Sequence, residues 1–258
     1  MSQEKRKRVL IVGDSITLGV AEANGQTVTQ YLEPTYVQHL REITPDLRID
    51  VDAAPFRTTT AACKVIEPLL LSYHPGAVLV MLGGNDADID WRRFILSGGR
   101  VVRNNVPVER FAESLRTIVR TVSASGATPV LVDVPNHDLH LRGQWMSRLA
   151  GQDVSSLIEQ GGGQAESDRR LAEYNRAVRE LALESEAPVA SWARAVQALP
   201  PSQRYGPDFT HPGPDAHRVI AETIAPVLTR IARGQNGWHH PTLLPNSTAR
   251  VGATVRTW

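Results

Sequence analysis

The sequence predicts an α/β fold: a doubly wound parallel sheet covered by helices on both faces, in three α/β/α layers. Two observations carry this reading. Apolar, β-branched runs recur at Val9–Val12, Ile49–Ala53, Val78–Leu82, Val130–Val134 and, more weakly, Pro188–Ser191, each short and nearly continuous, as strands buried on both faces are. Segments with helical spacing of apolar residues lie between them, and strands that alternate with helices imply parallel pairing through crossovers.

The helices follow in order. Pro34 suits the first turn of a helix that runs through Tyr36, Val37 and Leu40 to Ile43. Thr60–Leu71 reads as a second, with Cys63 a small core residue among Ala61, Ala62 and Val65. Pro107 opens a third, in which Phe111, Leu115, Ile118, Val119 and Val122 share a stripe and Gly126 suits the C-terminal cap. Ala165–Glu184 is a fourth, striped by Leu171, Tyr174, Val178 and Leu181. Asp215–Arg233 closes the fold, and Pro226 inside it predicts a kink or break.

Length and composition set the bounds. The 258 residues suit one well-buried α/β domain with no linker dividing it. A net charge of +1 with 21% charged residues gives no sign of a nucleic-acid partner, and Lys5-Arg6-Lys7-Arg8 reads as a solvated terminus running into the first strand. The N-terminus lacks the apolar stretch of a secretory signal, and no run approaches the roughly 18 apolar residues of a membrane span. A cytoplasmic protein with no membrane partner is therefore expected. Cys63 is the single cysteine, so an internal disulfide is excluded and a cysteine-based metal site is not expected. The domain is expected to occupy residues 1–233, followed by an extended tail, 234–258, in which Trp238, Leu243, Leu244 and Trp258 could dock on the domain or on a second subunit of a homo-oligomer.

The chemistry concentrates in three short blocks. Near the C-terminus, Tyr205-Gly206-Pro207-Asp208-Phe209-Thr210-His211-Pro212 places a carboxylate three residues before an imidazole. A serine hydroxyl is a poor nucleophile unless a neutral imidazole takes its proton, and a carboxylate on the other ring nitrogen fixes the tautomer. His211 and Asp208 suit those two roles. The nucleophile is Ser15, in Gly13-Asp14-Ser15-Ile16-Thr17 directly after the first strand. The third block, Gly83-Gly84-Asn85-Asp86, follows the run Ala77–Leu82 and places the Asn85 amide at a strand end, where it could stabilise an oxyanion.

These blocks, in this order, resemble the SGNH subgroup of the GDSL-type hydrolases over roughly residues 8–233. The resemblance implies a five-stranded sheet in flavodoxin-like order. It also implies Ser15 as nucleophile and first oxyanion donor through its backbone N–H, Asn85 as a side-chain oxyanion donor, and Asp208 and His211 as the rest of a triad. One block departs from the family pattern. The glycine usual after the second strand, whose N–H is a third oxyanion donor, has no counterpart in Ala53-Ala54-Pro55-Phe56-Arg57-Thr58-Thr59-Thr60. The N–H of Arg57 or Thr58 is expected to serve if the local dihedrals are ordinary, with Thr58 the first choice.

Asp14, Gly84, Arg57, His137 and Trp91 are the expected substrate contacts. Arg57 is read either as a binder of an anionic group or as a solvated loop residue, and Asp14 as the residue that shapes the turn before Ser15. Two insertions, Ala87–Val106 and Asn136–Gly163, flank the site. Their Trp, Phe and Met residues either wall the site or pack the loops down, and their arginines would suit a carboxylate- or phosphate-bearing substrate. Asp86, Asp88 and Asp90 lack the pattern of a calcium loop and read as surface acids or helix caps, while His217 is expected to satisfy a local hydrogen bond. The activity these residues imply is hydrolysis of a small ester or O-acyl group through an acyl-enzyme, with no metal and no cofactor. Acyl transfer through the same triad, or a silent ligand-binding module of the same fold, are the alternatives.

Overall fold

The computed structural model describes residues 2–24 and 27–235. Its principal sheet has five parallel strands: β1 (Arg8–Gly13), β4 (Arg48–Ala53), β5 (Ala77–Met81), β6 (Thr128–Val132) and β7 (Val189–Ala190). A separate antiparallel hairpin pairs β2 (Val20–Asn24) with β3 (Thr27–Tyr31). The strand order of the large sheet is β4-β1-β5-β6-β7. Taken in chain order of the five, this is second-first-third-fourth-fifth, the flavodoxin-like arrangement.

Strand alternation builds a core on each face. Val9 and Ile11 of β1, Leu79 and Met81 of β5, and Val130 and Val132 of β6 face the helices Tyr36–Ile43, Trp192–Gln197 and Pro214–Ala232. Leu10 and Val12 of β1, Val78 and Val80 of β5, and Leu131 of β6 face the helices Ile66–Tyr73, Val108–Ala124 and Gly163–Ser185. Each such buried aliphatic side chain contributes about 1.5–3 kcal/mol of transfer free energy, which is why these runs carry almost no polar residues.

Four local departures from the sequence reading have physical causes. The expected helix Thr60–Leu71 divides into Thr59–Ala62 and Ile66–Tyr73, because Pro68 clashes with a continuing helix and is tolerated only in the first turn of a new one. The helix expected to open at Pro34 opens instead at Tyr36, capped by Thr35 and Gln38 in a reciprocal capping box. Helix Pro214–Ala232 runs through Pro226 unbroken. Pro226 and Glu222, whose carbonyl loses its partner there, are both on the solvent side, where water can satisfy it. Finally, β6 stops at Val132 rather than Val134, since the Asn175 side chain takes both backbone groups of Val134, at 2.8 and 3.1 Å.

The two insertions fold on each other. Ile89 and Phe94 from the first pack with Leu139, Val154 and Ile158 from the second, and Trp91, Val102 and Met146 join them. This cluster is separate from the two sheet cores and forms a cap beside the strands' carboxyl ends. The tail residues Trp238, Leu243, Leu244 and Trp258 lie outside the described residues, as does most of the segment 234–258. Among the described residues no helix is long and apolar enough to cross a membrane.

Because the cap has its own small core, Phe94→Ala is expected to open it locally without unfolding the sheet. Limited proteolysis read by mass spectrometry will show cleavage within 87–160 accelerated about tenfold or more, while the urea midpoint of the main domain moves little. Coincident loss of both would show one cooperative unit.

Candidate active site

All three sequence blocks converge where the strands of the large sheet end, the usual ligand position in such folds. Ser15 stands just past β1 on a tight turn, 5% exposed. A β-carbon at Gly13 would lie 2.0 Å from Thr17 Oγ1, so the strand can end under this turn only with glycine. Beyond β5, Gly83 adopts φ +124°, and a β-carbon there would meet Val134 at 2.8 Å. Glycine at 83 therefore lets the chain fold back and present Gly84 and Asn85 to Ser15.

His211 links the nucleophile to the acid. Its Nε2 lies 3.0 Å from Ser15 Oγ and its Nδ1 lies 2.6 Å from Asp208 Oδ2. Asp208 is 1% exposed, yet every direction around it holds a donor. Its Oδ1 accepts the backbone N–H groups of Thr210 (2.9 Å) and His211 (3.0 Å), and its Oδ2 accepts that of Ala23 (3.1 Å). Burial alone would push this carboxyl up, but the hydrogen bond and charge of His211, with the N–H groups of the Asp208–His211 turn, outweigh it and hold the pKa below the ordinary carboxylate value. Phe209 takes a left-handed φ of +54° to close that turn. An ionised Asp208 keeps the proton on Nδ1, which leaves Nε2 as the acceptor facing the Ser15 hydroxyl.

Asp14 does more than shape the turn. Its Oδ1 accepts the Ile16 N–H at 3.0 Å, as expected, and its Oδ2 accepts the Asn85 amide at 3.2 Å. Asn85 donates its other hydrogen to the Arg57 carbonyl at 3.2 Å. Asn105 donates to the Asn85 carbonyl at 3.0 Å, so the whole residue is fixed. An oxyanion in the cavity would compete with the Arg57 carbonyl for one of the Asn85 N–H groups.

The loop that lacks the family glycine is built differently from the sequence expectation. The Arg57 N–H is committed to the Ala54 carbonyl at 3.3 Å, and Thr58 Oγ1 caps the helix Thr59–Ala62. Phe56 occupies the left-handed region, φ +59°, and lines the cavity together with Thr58. The backbone N–H groups of Ser15 and Phe56 make no hydrogen bond among the described residues. Thr58 itself is extended, φ −99° and ψ 166°, while Phe56 adopts the conformation that glycine adopts at less cost.

A cavity of about 390 Å³ opens over Ser15. Gly84, Asn85, Thr58, Trp91 and His137 line it, and so do Trp145 and Met146 from the second insertion. Arg57 does not line it. Its guanidinium is paired with the Asp52 carboxylate and the Asp52 carbonyl, so the anion-binding reading of Arg57 is corrected, the positive charge being already neutralised. Two arginines of the insertions are paired in the same way. Arg142 is paired through both terminal nitrogens with Asp88 (2.9 and 3.2 Å) and stacked 4.7 Å over Trp91. Arg93 reaches Asp90. Of the insertion arginines only Arg142 and Arg92 line the cavity, and Arg92 is solvent-exposed.

Asp86, Asp88 and Asp90 also separate. Asp90 caps the helix Trp91–Leu96. Asp86 and Asp88 are not surface acids. Asp86 is fully buried and accepts both the N–H and the hydroxyl of Thr59, tying the loop after β5 to the loop after β4. Among the described residues no group of three His, Cys, Asp or Glu side chains is placed to hold a metal ion. Cys63 packs against one sheet core and donates to the Ser114 carbonyl. His217 accepts the Tyr36 N–H at 3.1 Å, a tertiary contact 181 residues away rather than a local one.

A family model, described as the GDSL-like lipase/acylhydrolase family, matches residues 11–219. The chain belongs to this family. Comparison with curated proteins finds no match. Similar solved structures include a lipase/acylhydrolase from Enterococcus faecalis, with TM-score 0.61 at 18% identity over 88% of this chain and 96% of that one. A catalytic mutant of the acetylxylan esterase Axe2 from Geobacillus stearothermophilus matches with TM-score 0.59 at 20% identity, over 86% and 93%. The psychrotrophic esterase EstA from Pseudoalteromonas sp. matches with TM-score 0.58 at 17%, over 87% and 97%. At these identities the likeness to the three structures is one of fold.

Burial raises the Asp14 pKa from 3.8 to about 7, outweighing the Ile16 N–H and the nearby His211. A carboxyl whose pKa rises on folding holds its proton more tightly in the folded chain, so through Asp14 stability falls as pH rises from about 4 to about 7 and is level above that. The full span is worth about 4 kcal/mol. Urea unfolding across this range will show the slope in the wild type and its loss in Asp14→Asn. Parallel curves would show that Asp14 titrates normally.

Proposed function

We propose that this GDSL hydrolase cleaves an ester or O-acyl group of a small, uncharged molecule through an acyl-enzyme on Ser15. The observation that carries the reading is the unbroken relay Ser15 Oγ–His211–Asp208, with contacts of 3.0 and 2.6 Å. His211 Nε2 takes the Ser15 proton as Oγ attacks the acyl carbon, then passes it to the leaving alcohol oxygen. Water, deprotonated by the same nitrogen, attacks the acyl-enzyme and releases the acid. Asp208 stays ionised throughout and stabilises the imidazolium.

The oxyanion receives the Ser15 N–H and an Asn85 amide hydrogen, and Phe56 and Thr58 of the loop after β4 line the same cavity. Such donors act where charge develops, and losing one costs about 2.7–4 kcal/mol in well-studied cases. The cavity of about 390 Å³ lies at the small end of the range for ligand pockets, roughly 300–1,000 Å³, and its one buried arginine is neutralised by Asp88. Both features favour a small neutral ester over an anionic one. An acetylated carbohydrate is a fitting class, since Trp91 and Trp145 offer flat apolar walls beside polar groups, and one similar structure is that of an acetylxylan esterase.

Release of p-nitrophenol from the acetate and butyrate esters tests this. Ser15→Ala is expected to lower kcat by about 10⁴-fold or more with KM little changed, and the wild type to prefer acetate. Equal rates in wild type and variant would remove Ser15 from the reaction.

A further inference from the structure

A second, small cavity shares a wall with the catalytic one, and Asp88, Ile89, Trp91, Pro135 and His137 line both. Its far side is Arg170, Ser167 and Leu171 on the helix Gly163–Ser185. Arg170 Nε and Nη1 and His137 Nδ1 are all buried and make no hydrogen bond among the described residues. Three unpartnered nitrogens on the two sides of one cavity are a rare arrangement, because buried polar groups are almost always satisfied.

The carboxylates that could pair with Arg170 are taken. Glu166, one helical turn earlier, gives both oxygens to Arg169 at 2.8 Å. Asp88 is saturated by Arg142, by the Trp91 indole N–H and by the Ile89 N–H. Arg170 is therefore a half-buried cation whose Nε and Nη1 lack partners and whose nearest carboxylates, Glu166 and Asp88, are already paired with other arginines, a condition that proteins usually relieve by pairing.

We propose that this cavity binds a monovalent inorganic anion of halide size, held between Arg170 and His137. Its volume of about 30 Å³ exceeds the roughly 10–15 Å³ by which one water is accommodated, and suits a single halide. A neutral water would satisfy hydrogen bonds but add no charge to balance the guanidinium, whose nearby carboxylates are shared with Arg169 and Arg142, and this favours the anion. With the anion in place, His137 donates from Nδ1 and its Nε2 becomes an acceptor. Because His137 also lines the catalytic cavity, the anion sets which hydrogen bond this residue can offer a substrate hydroxyl.

Bromide is the probe. Thermal unfolding is compared in sodium bromide and in sodium gluconate at equal ionic strength, gluconate being too large for a cavity of about 30 Å³. The wild type is expected to gain about 4 °C in bromide at ten times its dissociation constant, with saturation, and Arg170→Met to gain nothing. Crystals of the wild type soaked in bromide are expected to show an anomalous peak between Arg170 and His137, a readout that does not depend on the variant folding. Equal stability in the two salts, a bromide effect that persists in Arg170→Met, or density for water alone with no anomalous peak would each overturn the proposal.

Discussion

A carboxylate buried to 1% exposure must be given hydrogen bonds, and the way Asp208 receives them determines how the rest of the site is held. Its partners come from two distant parts of the chain: the Asp208–His211 turn itself and the N–H of Ala23 in the hairpin after Ser15. The hairpin is thereby locked to the last loop of the fold. His211 cannot rotate without breaking this set, so its Nε2 stays aimed at Ser15 across 196 residues of sequence. The left-handed φ of Phe209 is a local strain that this network keeps in place.

The sheet performs the second task, which is to bring remote loops to one edge. β1 delivers Ser15, β5 delivers Asn85, and the loop after β4 faces them, tied to the β5 side by the buried contact of Asp86 with Thr59. Asp14 then joins the nucleophile turn to the Asn85 amide. The elements of the candidate site are thus cross-linked by buried polar contacts rather than held by packing alone. Above them the two insertions form a cap whose wall is made rigid by one assembly, Asp88 with Arg142 and Trp91.

Much of this was legible in the sequence, for identifiable reasons. β1, β5 and β6 are short apolar runs because both of their faces are buried, whereas β4 at the sheet edge is only partly buried and carries Asp50 and Asp52; the three blocks stand out because catalysis demands fixed residue types at fixed spacing. The hairpin β2–β3 was missed although Asn24-Gly25 between Val20–Ala23 and Thr27–Tyr31 is a recognised turn signal; its polar composition conceals a role that rests on one backbone N–H. The left-handed Phe56 had no signal, since nothing in Ala-Pro-Phe-Arg marks a residue that glycine would suit better. The destination of each arginine was equally hidden. Arg57 reads either as an anion binder or as a solvated loop residue, and Arg142 as one of the arginines suited to an anionic substrate, until contacts show Asp52 and Asp88 beside them; the Arg142 pairing spans 54 residues and leaves no local pattern. Spacing alone also made Asp86 and Asp88 look like surface acids, because burial of a charge depends on partners brought in by the fold.

The measurement that bears most directly on the account is rapid-quench mass spectrometry of the wild type mixed with p-nitrophenyl acetate. The account predicts one acetyl group, transiently attached, on the peptide that contains Ser15, forming and decaying at rates consistent with turnover. Turnover that proceeds with no such adduct, or an acetyl group that maps to another residue, would contradict it.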